Sequence, residues 1–221
     1  MLQRCIAGLL CIATTLSADA RYQLAYQVKA NLLVQLGARV AGLSKLNSSG
    51  ETVLLKGAKI LVKGDTSTLI VDYATSNVVI LDHTDKTFER VKIEEMRQRI
   101  AADFPTALVD GLKKLFGGDG SSSTSVERVG DGSAMPSLAR FRAKYGLGYL
   151  LPAMETLTPL APGIEKGLQS IRGQNNLPLS LRISMGAKVM DATVQIQDYQ
   201  ESAVQEHEFA VPPGYQEIKA Q

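Results

Sequence analysis

Few side chains in this 221-residue chain have the type and spacing needed for acid–base, nucleophilic or metal chemistry. It has two histidines. His83 lies in the predicted turn Asp82–Asp85, where we expect a solvated hairpin tip. His207 lies in the stretch QEHEF, where we expect the exposed face of an edge strand. A general base or a metal site would require one of these rings beside a carboxylate. We predict no chemical role for either ring.

Other motifs that could support catalysis are incomplete. Asp131-Gly132-Ser133 offers a serine without an evident base, and the G-x-S-x-G elbow of hydrolases is absent. Gly146–Leu150 reads GLGYL and does not complete a dinucleotide-binding fingerprint. Glu94 and Glu95 are adjacent on a predicted helix, so they face different directions and suit a helix start instead. We therefore predict a non-enzymatic protein with no catalytic residues, metal or cofactor.

The first twenty residues have the three parts of a secretory signal peptide. Arg4 precedes an uncharged run from Cys5 to Leu16, and Ala18-Asp19-Ala20 follows as a small-residue exit. The apolar run is too short for a transmembrane helix, which needs about 20 residues. We predict residues 1–20 as a signal peptide cleaved after Ala20, and a periplasmic or cell-envelope location.

Composition excludes several functions for the predicted mature chain, residues 21–221. Cys5 and Cys11 both lie in the signal segment, so the mature chain has no disulfide and no thiol nucleophile. The net charge of +2, without a Lys/Arg cluster and without Trp, argues against nucleic-acid binding. No other segment is long and apolar enough to cross a membrane.

Alternating apolar and polar residues, separated by Gly, Asp and Asn turns, predict an antiparallel sheet. The predicted strands are Tyr22–Gln35, Thr52–Lys63, Thr66–Tyr73, Asn77–Leu81, Thr87–Val91, Leu177–Met185, Val189–Tyr199 and Glu206–Val211.

The middle of the chain has helical periodicity instead. Apolar residues three or four apart predict a helix over Ile93–Leu115, kinked at Pro105. Residues 117–135 are rich in Gly, Ser and Asp and predict a flexible loop. Pro136–Arg172 is apolar but interrupted by Pro and Gly, which predicts short helices that cover an apolar surface.

The order of strands, helices and strands predicts an α+β fold. We expect a curved antiparallel sheet, a half-open β-barrel, with inserted helices that pack on or plug its concave face. We prefer a single domain over residues 21–221, because the few C-terminal strands would otherwise leave exposed edges. Two domains separated by the Gly/Ser loop are the alternative.

The proline-broken segment is the candidate site. Its helices either complete a core or form a lid that an acyl chain or another apolar ligand displaces. The residues predicted to line the lid or cavity are Leu150, Leu151, Met154, Leu157, Leu160, Ile164 and Leu168.

Three segments resemble an exported bacterial family, the domain of unknown function 4412. They are LVKGDTSTLIVDY, VVILDHTDKTFERVKIEEM and EFAVPPGYQEI, and the resemblance spans Tyr22 to Ile218. That family is similar to periplasmic lipoprotein carriers of the LolA/LolB type. The resemblance implies a half-open antiparallel barrel closed by helices in the cell envelope. Carriers of this type have aromatic-rich or arginine-latched cavities, and Arg90 and Arg182, both on predicted strands, are the latch candidates.

Two functions agree with these observations. The first is an exported protein that binds a lipid or a lipoprotein acyl chain in the half-barrel cavity. The second is an envelope protein-binding or sensor module with a filled core, whose partner docks on a sheet edge or on the Gly/Ser loop.

Overall fold

The computed structural model describes residues 19–30, 50–96, 98, 122–152, 162–185 and 190–219. Helical residues begin at Ile93 after the sixth strand. The remaining elements, in chain order, are β1 Asp19–Ala30, β2 Glu51–Lys56, β3 Lys59–Lys63, β4 Ser67–Asp72, β5 Asn77–Asp82, β6 Thr87–Lys92, β7 Ser122–Gly130, α1 Pro136–Tyr145, α2 Pro162–Arg172, β8 Leu177–Met185, β9 Met190–Glu201, a 3₁₀ helix Glu206–Phe209 and β10 Gln216–Glu217.

The ten strands in the described part of the chain belong to one large, curved, unclosed sheet in the order β10-β6-β5-β4-β3-β2-β1-β9-β8-β7. Strand β1 pairs with β2 on one side and with β9 on the other, so the C-terminal strands join the N-terminal hairpins. These pairings are antiparallel, whereas β10 runs parallel to β6 and makes the sheet mixed. This arrangement is compatible with the predicted α+β class, but the sheet is mixed and not purely antiparallel as predicted.

The hairpins are set by local turn chemistry. Gly57 has a φ of +56° and turns the chain between β2 and β3, so the single strand predicted over Thr52–Lys63 is wrong. Glycine adopts this left-handed conformation without a steric penalty. At the next turns, Asp72 accepts the N–H of Ala74, and Asp82 accepts the N–H groups of the two residues after His83. These bonds stabilise the carboxylate and lower the pKa of Asp82.

Two predicted irregular or extended segments have a different structure. Residues 122–130 of the predicted Gly/Ser loop form β7, because β8 supplies hydrogen-bond partners and α2 packs on them. Tertiary pairing thus overrides a composition typical of loops. The strand predicted over Glu206–Val211 is instead a 3₁₀ helix closed by a capping box between Gln205 and Glu208.

The largest apolar cluster lies between β1, β2, β3, β8 and β9 and a helical cover. This cover consists of α1, residues 146–151 and α2. It contributes Leu138, Phe141, Leu147, Tyr149, Leu150, Leu151, Leu168 and Ile171 to the cluster.

The hairpin half of the sheet is apolar on both sides. On one side, Val71, Val78 and Val91 pack with Ile93 and Met96 at the start of the helix that follows β6. On the other side, a second cluster is covered by the C-terminal segment, residues 204–215. Its members are Leu54, Leu61, Ile70, Leu81, Phe88 and Val204, with Val79, Phe209, Val211 and Tyr215 packed against them.

Candidate functional site

The described part of the predicted lid is packed into the main core. Leu150, Leu151 and Leu168 are 0%, 4% and 1% exposed, and all three belong to the cluster beneath the helical cover. Ile164 lies on α2, but its side chain is outside the described part. The other three predicted lid residues, Met154, Leu157 and Leu160, lie outside the described residues.

Buried tyrosines fasten the helical cover to the sheet. The Tyr22 hydroxyl on β1 donates to the main-chain oxygen of Tyr149 at 2.5 Å. The Tyr149 hydroxyl donates in turn to the oxygen of Pro178 on β8 at 2.7 Å. Burial raises the pKa of both phenols, so both remain neutral donors. The cover is therefore held by satisfied buried hydrogen bonds in addition to apolar contacts.

Arg142 joins the two helices of the cover. Its Nη2 donates to the main-chain oxygens of Ile171 at 3.1 Å and Gln174 at 2.7 Å. These carbonyls lie at and just beyond the end of α2, where helical carbonyls lack intrahelical partners. Neither sequence-predicted latch has this position: Arg90 on β6 pairs with the β10 residue Glu217, and Arg182 lies on the opposite face of the sheet.

A cluster of serine, glutamate and tyrosine marks the start of α1. Ser137 is fully buried; its N–H and Oγ donate to Glu201 at 2.9 and 2.5 Å, and Tyr199 donates to the same carboxylate. Burial opposes ionisation of Glu201, but these hydrogen bonds outweigh it and lower its pKa. The hydroxyl faces a carboxylate and is closed to solvent, so the cluster anchors a helix N-terminus and is unsuited to nucleophilic attack.

The same region holds a buried acidic residue. Asp19 is 4% exposed, and its Oδ2 accepts from Lys56 Nζ at 3.1 Å and from the N–H of Val204 at 3.2 Å. Its main-chain oxygen accepts from Ser202 N at 3.4 Å and lies 3.3 Å from Ser137 Oγ. Asp19 thus ties β1 to β2, to α1 and to the segment after β9.

The histidines have structural positions. His83 is half-buried between Thr68 Oγ1, 2.9 Å from its Nε2, and the Tyr215 hydroxyl, 2.6 Å from its Nδ1. The expected solvated hairpin tip is therefore wrong, because the C-terminal segment folds back over this turn. His207 is exposed, as expected, but it lies on the 3₁₀ helix and not on a strand.

The side of β1, β7, β8 and β9 that faces away from the helical cover is polar, and we call it the polar face. It forms a trough of about 240 Å³. Arg182 lies in this trough between two acids, with Nη2 2.8 Å from Asp191 and Nη1 3.6 Å from Glu127. The hydrogen bond from Arg182 to Asp191 raises the pKa of the guanidinium further. The lining residues are Ala25, Gln27, Glu127, Arg182, Asp191, Thr193, Gln195 and Gln197.

Sequence reasoning did not find this trough. The signal was present in β8 and β9, where polar residues alternate with apolar ones: Ser180, Arg182 and Ser184 on β8, and Asp191, Thr193, Gln195 and Gln197 on β9. That alternation predicts a polar face. The trough also requires the pairing of β7 with β8, which the alternation does not predict.

Among the described residues, no group of three or more His, Cys, Asp or Glu side chains is placed to hold a metal ion. Within the same part of the chain, no helix combines the length and the apolar character needed to cross a bilayer.

No family model matches the chain, and no curated protein matches it.

Proposed function

We propose that this chain is an exported, non-enzymatic binding module with a half-open barrel, a filled core and a partner site on the polar face. One observation carries the proposal: the two sides of β1, β8 and β9 differ. One side is buried beneath the helical cover, whereas the other presents amide, hydroxyl and charged side chains in a trough.

The packing of the helical cover supports a filled core. Leu150 and Leu168 are almost fully buried, and the neighbouring Tyr149 is fixed by two hydrogen bonds. Exposing one such leucine costs about 1.5–3 kcal/mol. An apolar guest would have to compensate for every side chain that it displaces.

The chemistry of the polar face suits a hydrogen-bonding partner. Gln27, Gln195 and Gln197 offer both donors and acceptors, and Arg182 is already neutralised by two acids. Such a surface matches a protein segment with polar side chains better than an acyl chain. Strand β7 ends the sheet order beside the trough, so a partner could also contact this edge.

Site-specific photocrosslinking in a cell that expresses and exports the protein tests this proposal. A crosslinker at Gln195 should give one defined protein adduct, whereas a crosslinker at the exposed turn residue Thr75 should not. Thr75 is a matched control because it lies in the β4–β5 turn, away from the trough strands. No adduct at Gln195, or the same adducts at both positions, would contradict a partner site on the polar face.

The second candidate is binding of an apolar ligand beneath the helical cover. It is favoured by the apolar layer between cover and sheet, which offers the same chemistry as an acyl chain. A chain of about sixteen carbons contributes about 12 kcal/mol at about 0.8 kcal/mol per buried CH₂, comparable with the cost of displacing several leucines. Binding of such a ligand is therefore energetically feasible. The two candidates differ in whether the space beneath the helical cover is filled by the protein's own side chains or by a ligand.

Native mass spectrometry of the exported protein, followed by solvent extraction, separates the two candidates. A filled core predicts the mass of the polypeptide alone. A bound mass that extracts as a fatty acid or phospholipid would overturn the filled core and establish the second candidate.

A further inference from the structure

The residues just before Arg21 are part of the folded sheet. Strand β1 begins at Asp19, which pairs with Lys56 of β2, and Ala20 pairs with β2 and with Glu201 of β9. Ala20 is fully buried in the main apolar cluster. A chain that began at Arg21 would lose both residues from the central strand pairing.

Asp19 also contacts polar groups of three neighbouring elements. Its carboxylate accepts from the Lys56 ammonium and from the N–H of Val204, and its carbonyl accepts from the N–H of Ser202. Removal of Asp19 would leave a partly buried ammonium without its carboxylate and a buried N–H without its acceptor. Both changes are unfavourable in a folded protein.

We propose that the signal peptide is removed by hydrolysis of the Ser17–Ala18 bond, not of the bond after Ala20. The proposal rests on the export proposed above. Signal peptidases require small residues at the first and third positions before the cut. Ser17 and Thr15 meet this requirement, whereas a cut after Ala18 would place the larger Leu16 at the third position. Water adds across the peptide bond, which leaves a carboxylate on Ser17 and a new amino terminus on Ala18.

The test is the amino terminus of the full chain after expression in an exporting bacterial host. Intact mass and N-terminal sequencing should show a chain that begins at Ala18. A start at Arg21 would overturn the proposal while leaving export intact. A start at Asp19 would preserve the anchor but overturn the Ser17–Ala18 bond. A chain that retains Met1 would instead contradict export itself.

Two leucine substitutions provide a matched pair. Ser17→Leu places a large side chain at the first position before the proposed cut and should block processing there. Ala18→Leu follows the proposed cut and should leave it unchanged, but it would obstruct a cut after Ala20 at the third position. The reverse pattern would contradict the proposed bond.

A stability comparison supplies an independent readout. Chains that begin at Ala18 and at Arg21 can be exported behind one unrelated signal peptide. The chain that begins at Arg21 should unfold at a lower urea concentration, because it lacks Asp19 and Ala20. Equal midpoints would contradict the structural reason for the proposal.

Discussion

Gly167 allows the helical cover to lie close to the sheet edge. On α2, it faces Thr124 of β7; a Cβ at this position would lie 2.5 Å from the Thr124 Cβ and 3.2 Å from its main-chain nitrogen. Neither atom is the end of a flexible side chain, so the helix itself would have to move away. We expect Gly167→Ala to displace α2 from β7 and to destabilise the protein.

The expected magnitude is the difference between two effects. Alanine in a helix interior is favoured over glycine by about 1 kcal/mol, whereas overpacking costs about 1–3 kcal/mol. Gly167→Ala should therefore lower the free energy of unfolding by up to about 2 kcal/mol. Gly173, just after α2, is the matched control because a Cβ there would approach other atoms no closer than 3.7 Å. Gly173→Ala should be neutral or should stabilise by about 0.4–1 kcal/mol.

Urea unfolding of both variants, followed by far-UV circular dichroism, measures this difference. The double variant Gly167→Ala with Thr124→Gly should show a favourable coupling, because the second change removes the Cβ that obstructs the helix. If Gly167→Ala proves as stable as Gly173→Ala, the close packing of α2 on β7 is refuted.

Three further predictions concern polar contacts. Ser137→Ala should lower the free energy of unfolding by about 1–3 kcal/mol, because the Glu201 carboxylate loses a hydrogen-bond donor. In the same urea titrations, the exposed control Ser133→Ala should change the free energy of unfolding by less than about 0.5 kcal/mol. Tyr215→Phe should cost about 1 kcal/mol through the lost bond to His83, and hydrogen exchange should increase in the C-terminal segment; unchanged exchange would contradict the assigned contact. Burial raises the pKa of Glu51, so the folded state holds this proton more tightly and stability should fall as the pH rises above the ordinary carboxyl range. Glu51→Gln should reduce that fall in urea titrations from about pH 4 to about pH 7, and an unchanged pH profile would contradict the burial argument.

The hairpins β4 to β6 could be predicted from the sequence because their signals are local. Asn77–Leu81 and Thr87–Val91 differ from the observed strands by one residue at the C-terminal end. The Asp82 turn between them was also predicted, and it is stabilised by hydrogen bonds within three residues. Period-two patterns and turn residues act over these short distances, so no tertiary information was needed.

The errors arose where distant segments decide the structure. Strand β7 has a loop-like composition and pairs with β8, whose partner residues lie 47 to 63 positions later in the sequence. The local sequence of His83 is typical of a solvated turn. Its hydrogen bond to Tyr215, which is distant in the sequence, removes it from that environment. The role of Arg142 has no sequence pattern, because its acceptors are main-chain oxygens at and just beyond the end of α2. Such contacts depend on topology, which residue types and spacing do not encode locally.

The polar face follows from a difference between strands that the sequence already contains. Strand β5 reads NVVILD, a continuous apolar run, and lies in the half of the sheet that is buried on both sides. Strands β8 and β9 alternate, as in LSLRIS and TVQIQ, so only one side can enter the core. A single sheet that changes from continuous to alternating strands therefore changes from two apolar sides to one apolar and one polar side. Within the described residues, the polar side begins at β1, where Leu24 faces the core and Ala25 and Gln27 face the trough. The partner site that we propose thus lies where the burial pattern changes.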